Sequence, residues 1–216
     1  MSNGKYAFFI HPMDIEDVVK KYKIAKKVSP KVVASILKRR RPFVLSNIIG
    51  LKSLTGVSAG GSFIAVPLLP WQFNELDEDY LLKKIGKACK VAEKSGAKIV
   101  GLGAYTAIPG NGGEKLAKMV DVAVTTGNTY TVVIAIEGVL KAVDLMEIPV
   151  SDSTLAILGA TGSIGSACLV YLAPFFKRTI ALSRSPDKLK KLKNKVQKIH
   201  KINIETSTDI SDLKDA

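Results

Sequence analysis

A glycine-rich bend between a strand and a helix places the strongest constraint on how this chain folds. An apolar strand is predicted at Thr154–Leu158, and glycines follow at positions 159, 162 and 165. A helix is predicted from there to about residue 176, and a second strand at Arg178–Leu182. This spacing allows a tight turn, lets a phosphate approach the backbone and lets the helix pack closely on the sheet. The free N–H groups at the start of such a helix attract anions.

The order strand, glycine bend, helix, strand predicts a Rossmann-type dinucleotide-binding domain over residues 151–216, with a doubly wound, mainly parallel sheet. The end of the second strand bears on the choice of cofactor. Ser183 and Arg184 stand there in place of the acid that would bind the ribose of NAD, and a hydroxyl with a cation favours the 2′-phosphate of NADPH. The alternatives are a glycine turn without a ligand and an arginine that is simply a surface residue. The predicted cofactor-binding residues are Gly159, Ala160, Thr161, Gly162, Ser163, Ile164, Gly165, Ser183 and Arg184.

The predicted nucleotide domain is incomplete. Residues 202–205 are a candidate third strand, and the sequence ends at Ala216, where another apolar strand is expected. The first strand is therefore expected to have an exposed edge, which proteins usually cover. On this basis we expect the chain to be a fragment, whether shortened deliberately, cut by proteolysis or encoded by a split gene.

Residues 1–150 are predicted to form a separate α/β substrate domain. Apolar strands alternate with amphipathic helices, which predicts a mainly parallel sheet flanked by helices. Pro67 lies within the apolar run 62–69 and places that run at a sheet edge or gives it an irregular end. The last helix, from about residue 129 to residue 145, is expected to bury one face. That face is predicted to comprise Val133, Ile136, Leu140 and Val143.

Polar residues in the loops of this first domain form a candidate substrate site. Residues 125–129 link a strand to a helix, and their hydroxyls, amide and N–H groups suit a carboxylate, carbonyl or phosphate. An ordinary helix cap explains the same residues equally well. The loop after the preceding strand also lies at the carboxyl end of the sheet, where ligands bind. The predicted substrate residues are Ser53, Tyr105, Thr106, Thr125, Thr126, Gly127, Asn128 and Thr129.

Catalytic residues cannot be named from the sequence. His11 ends a strand and has some chance of facing a cleft, whereas His200 is expected to be solvated. Cys89 and Cys168 have neither metal-ligand spacing nor a disulfide framework. Both are predicted to be small core residues on helices, since unpaired cysteine is among the most buried residue types. No metal site is expected.

The formal net charge is +13, and the cations are clustered. Residues 20–41 include ten basic and no acidic residues, and residues 188–201 include seven lysines and no acid. The clusters are either a solvated surface or a means of attracting an acidic partner, such as nucleic acid, an anionic membrane or a carrier protein. Nucleic acid is the weakest choice, because no nucleic-acid-binding motif accompanies the clusters. The sequence has neither an apolar run of about 18 residues nor a secretory signal, so a cytoplasmic protein is expected.

Four segments resemble the long-chain acyl-acyl-carrier-protein reductases, which form aldehydes. They are LKSLTG (residues 51–56), GLGAYT (101–106), VTTGNTYT (124–131) and LGATGSIGS (158–166). The resemblance implies NADPH-dependent reduction of a fatty acyl thioester, carried by an acidic acyl-carrier protein or by CoA. It also implies a nucleophilic cysteine beyond this sequence, because neither Cys89 nor Cys168 occupies the matching place. We therefore expect the chain alone to be inactive.

Two other functions remain open. One is an NADP-dependent dehydrogenase of the shikimate or methylene-pterin type, which would act on a small substrate near residues 125–129 without a covalent intermediate. The other is a non-catalytic module that binds NADP(H) or an acidic partner. The sequence leaves the oligomeric state open, and a homo-oligomer is one option.

Overall fold

The computed structural model describes residues 4–215, which divide into two compact units. Unit 1 ends at Gly127, and unit 2 begins at Asn128. The division lies earlier than the predicted boundary at residue 150. The reason is packing: the helix Asn128–Leu145 buries Val132 against Leu155 and Cys168, which lie beyond residue 150. No helix in the described residues is long and apolar enough to cross a membrane.

Unit 1 is built on a five-stranded sheet with the order β2-β3-β1-β4-β5. Strands β1, β3, β4 and β5 are parallel, and β2 pairs with β3 in the antiparallel direction. The strands are β1 Gly4–Ile10, β2 Phe43–Lys52, β3 Ser58–Ala65, β4 Ile99–Leu102 and β5 Ala123–Thr125. The helices are α1 Ile15–Lys21, α2 Pro30–Arg39, α3 Pro70–Glu75, α4 Glu78–Lys94, α5 Pro109–Gly112 and α6 Glu114–Ala117.

Strand β3 settles the prediction about Pro67. It lies inside the sheet between β2 and β1, so it is not an edge strand. The strand ends at Ala65, two residues before the proline, which has no N–H group to contribute to a sheet. The alternative of an irregular end is therefore the correct one.

Helix α4 provides much of the core of unit 1. The Asp77 carboxylate caps its start by accepting the N–H groups of Asp79 and Tyr80, and Gly96 follows its end with a positive φ of 85°. One face of the helix is buried beneath the sheet; it comprises Leu81, Leu82, Ile85, Ala88, Cys89 and Ala92. The prediction that Cys89 is a core residue is confirmed, since its exposed fraction is 0%.

Lys84 is a buried cation on the same helix. Its Nζ donates to the backbone carbonyls of Leu37, Lys38 and Arg40 at 3.2, 2.8 and 2.9 Å. These carbonyls lie at the end of α2, where the helix dipole is negative. Burial lowers the pKa of the amine to about 8. Lys84 therefore ties α4 to the end of α2, which the sequence did not predict.

Unit 2 contains a parallel three-stranded sheet with the order β6-β7-β8. Its elements are α7 Asn128–Leu145, β6 Thr154–Leu158, α8 Ser163–Leu172, β7 Arg178–Leu182, α9 Pro186–His200 and β8 Glu205–Ser207. Within residues 4–215, β6 pairs only with β7, so its other edge has no strand partner. The third strand begins at the end of the predicted range 202–205, after the buried Ile204. The predicted α/β architecture with mostly parallel, Rossmann-like sheets is confirmed.

Two burial predictions in unit 2 were wrong. Val133 is 44% exposed, and its neighbour Val132 points inward at 7%. Both valines have helical spacing to Ile136 and Leu140, so the sequence pattern allows either to be buried. Val132 is the buried one because it packs with Leu172. His200 is half-buried rather than solvated.

Candidate functional site

The glycine bend of unit 2 lies at the carboxyl ends of two parallel strands. Gly159 follows β6 with a φ of 74°, in the left-handed region that favours glycine. The N–H of the fully buried Ala160 donates to the carbonyl of Leu182 at 3.0 Å. The N–H of Gly162 donates back to the carbonyl of Gly159 at 2.9 Å. These bonds fix the bend at the end of the sheet, next to the start of α8.

Gly165 allows helix α8 to pack directly on this bend. A Cβ atom at position 165 would lie 2.5 Å from the carbonyl oxygen of Gly159 and 3.2 Å from the Cα of Ala160. Both are backbone atoms that cannot move aside without displacing the strand. The structure therefore requires glycine here, in agreement with the predicted role in helix packing.

The start of α8 has no side-chain cap. Gly162 is the N-cap residue, and no side chain caps the helix. Around a Cβ atom built on Gly159 no other atom lies within 4 Å. The backbone N–H groups at the start of α8 thus have no side-chain cap, and together with the positive end of the helix dipole they suit a phosphate group.

A second helix begins beside the first. Asn128 is the first residue of α7, and its Nδ2 donates to the Oγ of Ser163, the first residue of α8, at 2.9 Å. The structure thus brings a predicted substrate residue into contact with a predicted cofactor residue. Thr129 is exposed in the same first turn of α7. Two helix N-termini in contact strengthen the attraction for a multiply charged anion.

The loops after β6 and β7 are joined by a short hydrogen bond. The hydroxyl groups of Thr161 and Ser183 lie 2.6 Å apart. The next residue, Arg184, is exposed, and it has no acidic partner among residues 4–215. Ile164 is half-buried and packs into the core between α7 and α8, so its side chain has a packing role. The hydroxyl of Ser183 thus lies beside the bend, and the exposed Arg184 follows it in the chain.

Five of the predicted substrate residues lie at the carboxyl ends of β4 and β5: Tyr105, Thr106, Thr125, Thr126 and Gly127. Thr106 is buried, and its hydroxyl donates to the carbonyl of Gly103 at 2.7 Å. Thr125 accepts the N–H of Gly127 on its hydroxyl at 3.1 Å, and Thr126 lies between them in the same turn. Tyr105 packs its half-buried ring against Phe73, with ring centres 6.0 Å apart. Both of these threonine hydroxyl bonds lie within their own loops.

Ser53 does not join these residues. Strand β2 runs antiparallel to β3 and ends at Lys52, which pairs with Ser58 at the amino end of β3. Ser53 therefore lies at the amino ends of the parallel strands, whereas Tyr105 and Thr106 lie at their carboxyl ends. Its Oγ accepts the N–H of Val57 at 3.1 Å, so it closes the hairpin turn.

His11 connects two strand ends. Its Nδ1 donates to the carbonyl of Pro12 at 3.0 Å, and its Nε2 accepts the N–H of Tyr105 at 3.3 Å. Burial lowers the pKa of the imidazole, which favours the neutral form. With both nitrogens bonded to the backbone, His11 holds the loop after β4 to the end of β1.

Neither thiol is activated. Burial raises the pKa of Cys89 to about 12, and it also raises the pKa of Cys168. A nucleophilic cysteine needs the thiolate form, which a lowered pKa favours. The structure therefore supports a packing role for both residues. No metal-binding cluster of His, Cys, Asp and Glu occurs in residues 4–215.

Cations of two elements meet on unit 1 and form a basic surface, comprising Arg39, Arg41, Lys83, Lys87, Lys90 and Lys94. Arg41 lines one surface groove with Lys87, Lys90 and Lys94, and a second groove with Arg39 and Lys83. None of these six residues forms an ion pair with another residue in 4–215. The sequence analysis missed the lysines of α4, although their spacing of four, three and four places them on one helix face.

No protein-family model matches the chain. Aminotransferase PigE of a Serratia species is 26% identical over 166 residues, which cover 74% of this chain and 19% of that protein. The long-chain acyl-[acyl-carrier-protein] reductase of Synechococcus elongatus is 30% identical over 131 residues, 57% of this chain and 38% of that enzyme. Among solved structures, L-tryptophan dehydrogenase from Nostoc punctiforme aligns over 96% of this chain and 53% of its own, with a TM-score of 0.41 and 13% identity. The chain thus spans well under half of each curated relative.

Proposed function

We propose that this chain is part of an NADPH-dependent oxidoreductase that reduces a fatty acyl thioester to an aldehyde. The observation that carries the proposal is the open glycine bend at the start of α8, next to the unpaired Arg184. Bends of this form hold the diphosphate of a dinucleotide.

The chemistry of the residues at the bend supports NADPH as the cofactor. Gly159 and Gly162 carry no side chain, so the diphosphate has access to the N–H groups at the start of α8. Ser183 and Arg184 would bind the 2′-phosphate, which NADH lacks. The bound cofactor would supply a hydride; the residues of unit 2 would bind and orient it.

Two observations support an acyl thioester as the substrate. One is the similarity to a Synechococcus enzyme named as a long-chain acyl-[acyl-carrier-protein] reductase. The other is the basic surface of unit 1, whose six unpaired cations suit an acidic carrier protein or the phosphates of CoA. A carrier held by these charges would dissociate as salt is added, because exposed charges are screened.

The proposal assigns no nucleophile within this chain. Cys89 and Cys168 are buried and have raised pKa values, so neither thiol suits attack on an acyl group. We therefore expect no aldehyde from an acyl-carrier thioester and NADPH with this chain alone. Steady aldehyde formation would contradict that assignment.

Titration with NADPH and NADH tests the cofactor site. In Gly162→Val the added side chain crowds the carbonyl of Gly159, since even a Cβ would lie 3.3 Å from it, and both nucleotides should lose affinity. In Arg184→Ala the affinity for NADPH should fall by roughly tenfold, which corresponds to about 1.4 kcal/mol, and the affinity for NADH should not change. Lys198→Ala, an exposed cation on α9, is the matched control and should change neither affinity. If the protein binds neither nucleotide, the redox proposal is wrong.

A small-substrate dehydrogenase is the second candidate. It is favoured by the burial of both thiols, because such an enzyme needs no covalent intermediate. It is also favoured by the contact between Asn128 and Ser163, which places an amide beside the bend. NADPH oxidation measured with small carboxylic acids and with acyl thioesters separates the two candidates.

A further inference from the structure

Unit 1 contains a cavity of about 260 Å³ at the carboxyl end of its sheet. Its floor is formed by the ends of β1 and β3 and by the start of β2, and α1 and α2 form its walls. The apolar lining includes Ile10, Val18, Leu37, Leu45, Ala65 and Pro67. Ligands of parallel α/β sheets bind at this end of the strands. The volume lies just below the range of about 300–1,000 Å³ found for drug-sized ligands, so the cavity suits a smaller molecule.

Two polar side chains of the lining, His11 and Asp17, are already hydrogen-bonded within the protein. Both ring nitrogens of His11 are bonded to the backbone, and burial lowers the pKa of the ring, which favours its neutral form. The carboxylate of Asp17 accepts the Nζ of Lys20 at 3.1 Å and the N–H of Met13 at 3.0 Å. His11 and Asp17 therefore offer little to a polar ligand, and burial of an apolar tail against the remaining, mostly apolar lining would be favourable.

Two cations at the mouth of the cavity rest on aromatic rings rather than on acids. The guanidinium carbon of Arg40 lies 4.7 Å from the ring centre of Phe43 and 5.1 Å from that of Tyr22. The Nζ of Lys21 lies 5.5 Å from the ring centre of Phe43. Neither cation has an ion-pair partner in residues 4–215. Aromatic rings hold a cation in place without neutralising its charge.

We propose that this cavity binds a medium-chain fatty carboxylate. The apolar tail fills the space between α1, α2 and the sheet, and the carboxylate pairs with Arg40 and Lys21 at the mouth. A carboxylate matches the planar fork of an arginine through two parallel hydrogen bonds. The site lies wholly in unit 1, so it does not depend on the nucleotide site or on the proposed reductase function.

Calorimetric titration with octanoate tests the site directly. Octanoate should bind, and octan-1-ol should bind at least tenfold more weakly, because it has the same chain but no charge. Octylamine should not bind, since its charge is repelled at the mouth. Affinity should rise from hexanoate to octanoate and then level off in longer acids, because the cavity is small. Equal affinity for octanoate and octan-1-ol, or no octanoate binding at all, would overturn the proposal.

Three variants localise the binding. Arg40→Gln removes one charge at the mouth of the cavity and should lower the affinity for octanoate by about tenfold. Ala65→Leu fills the floor of the cavity and should abolish binding; Leu45→Phe serves the same purpose if the first variant unfolds. Lys31→Gln, an exposed cation of α2 outside the cavity lining, is the control and should bind octanoate as the unchanged protein does.

NADPH titration of the same variants separates this proposal from the proposed function. Cavity variants that lose octanoate but retain nucleotide binding support an independent site in unit 1. A folded Ala65→Leu or Leu45→Phe protein that still binds octanoate normally would show that the ligand lies elsewhere, and the proposal would be wrong.

Discussion

Two glycine-rich loops of this molecule follow parallel strands, yet they differ in what fills them. In the loop 101–113 of unit 1, a Cβ atom at Gly103 would lie 2.3 Å from the carbonyl oxygen of Phe9. The N–H of Gly110 in the same loop donates to Glu78 at 2.9 Å. In the bend 159–165 of unit 2, a Cβ atom at Gly159 would meet no atom within 4 Å. The space at Gly103 is thus filled by the protein itself, whereas the space at Gly159 is left open to another molecule.

The same contrast holds for the cations of the two units. Lys84 in unit 1 is buried and bonded to three carbonyls, whereas Arg184 in unit 2 is exposed and has no acidic partner in residues 4–215. Glycine content and positive charge alone therefore do not mark a ligand site. A ligand site is better indicated by a backbone position with free space beside it, or by a charged side chain without an oppositely charged partner.

The largest effect is expected from Gly103→Ala. The new methyl group would clash with the carbonyl of Phe9 and with the ring of Phe8, 2.7 Å away, and should destabilise unit 1 by about 3 kcal/mol. Gly86→Ala is the control: it lies in α4 with no atom within 4 Å and should stabilise the helix by about 0.5–1 kcal/mol. Urea denaturation measures both. Equal stability of the two variants would show that the loop 101–113 is not tightly packed.

Lys84 should make the stability of unit 1 depend on pH. Its pKa is about 8 in the folded protein and 10.5 when exposed, so the unfolded chain binds more protons between these values. Stability contributed by this site should therefore rise with pH, by about 2 kcal/mol between about pH 7.5 and 9.5. To isolate this contribution, the free energy of unfolding of the unchanged protein is compared with that of Lys84→Met by denaturation at each pH. A constant difference between the two proteins would contradict the lowered pKa.

Gly159→Ala should affect ligand binding more than folding. The left-handed φ costs about 1 kcal/mol for alanine, and the methyl group enters the space proposed for the diphosphate. NADPH affinity should fall by roughly tenfold, or about 1.4 kcal/mol. Gly56→Ala, in the hairpin of unit 1 at a φ of 85°, carries a similar strain and should leave nucleotide affinity unchanged. If both variants bind NADPH equally well, the bend is not the binding site.

The smallest effects are expected from a pair of threonines. Thr106→Val removes a buried hydroxyl bond within the packed loop and should cost about 1 kcal/mol of stability, with no change in nucleotide affinity. Thr161→Val removes the bond to Ser183 beside the open bend, and should weaken NADPH by a few-fold. Thermal unfolding and nucleotide titration together measure both. If Thr106→Val weakened NADPH binding and Thr161→Val did not, the nucleotide would bind at the loop of unit 1 and not at the bend of unit 2.

The sequence predicted the local elements well because their signals are local. The strands around the bend and the capped helix α4 follow from apolar runs, glycine spacing and the carboxylate of Asp77. The packing of Gly165 on the backbone of Gly159 also followed from motif spacing.

The remaining features depend on contacts between distant parts of the chain. The antiparallel direction of β2, which carries Ser53 away from the predicted site, is a property of the sheet and leaves no mark in the segment itself. The three carbonyls around Lys84 come from residues more than forty positions away. The choice between Val132 and Val133 was made by the neighbouring helix, because both fit the helical period.

The placement of the thiols has a practical consequence. Each unit contains one cysteine, Cys89 in the first and Cys168 in the second, and the exposed fractions are 0% and 7%. A hidden thiol reacts with an alkylating reagent only when its surroundings open. The rate at which each cysteine is labelled therefore reports the opening of its own unit, so mass spectrometry of the labelled peptides can follow the two halves separately within one sample.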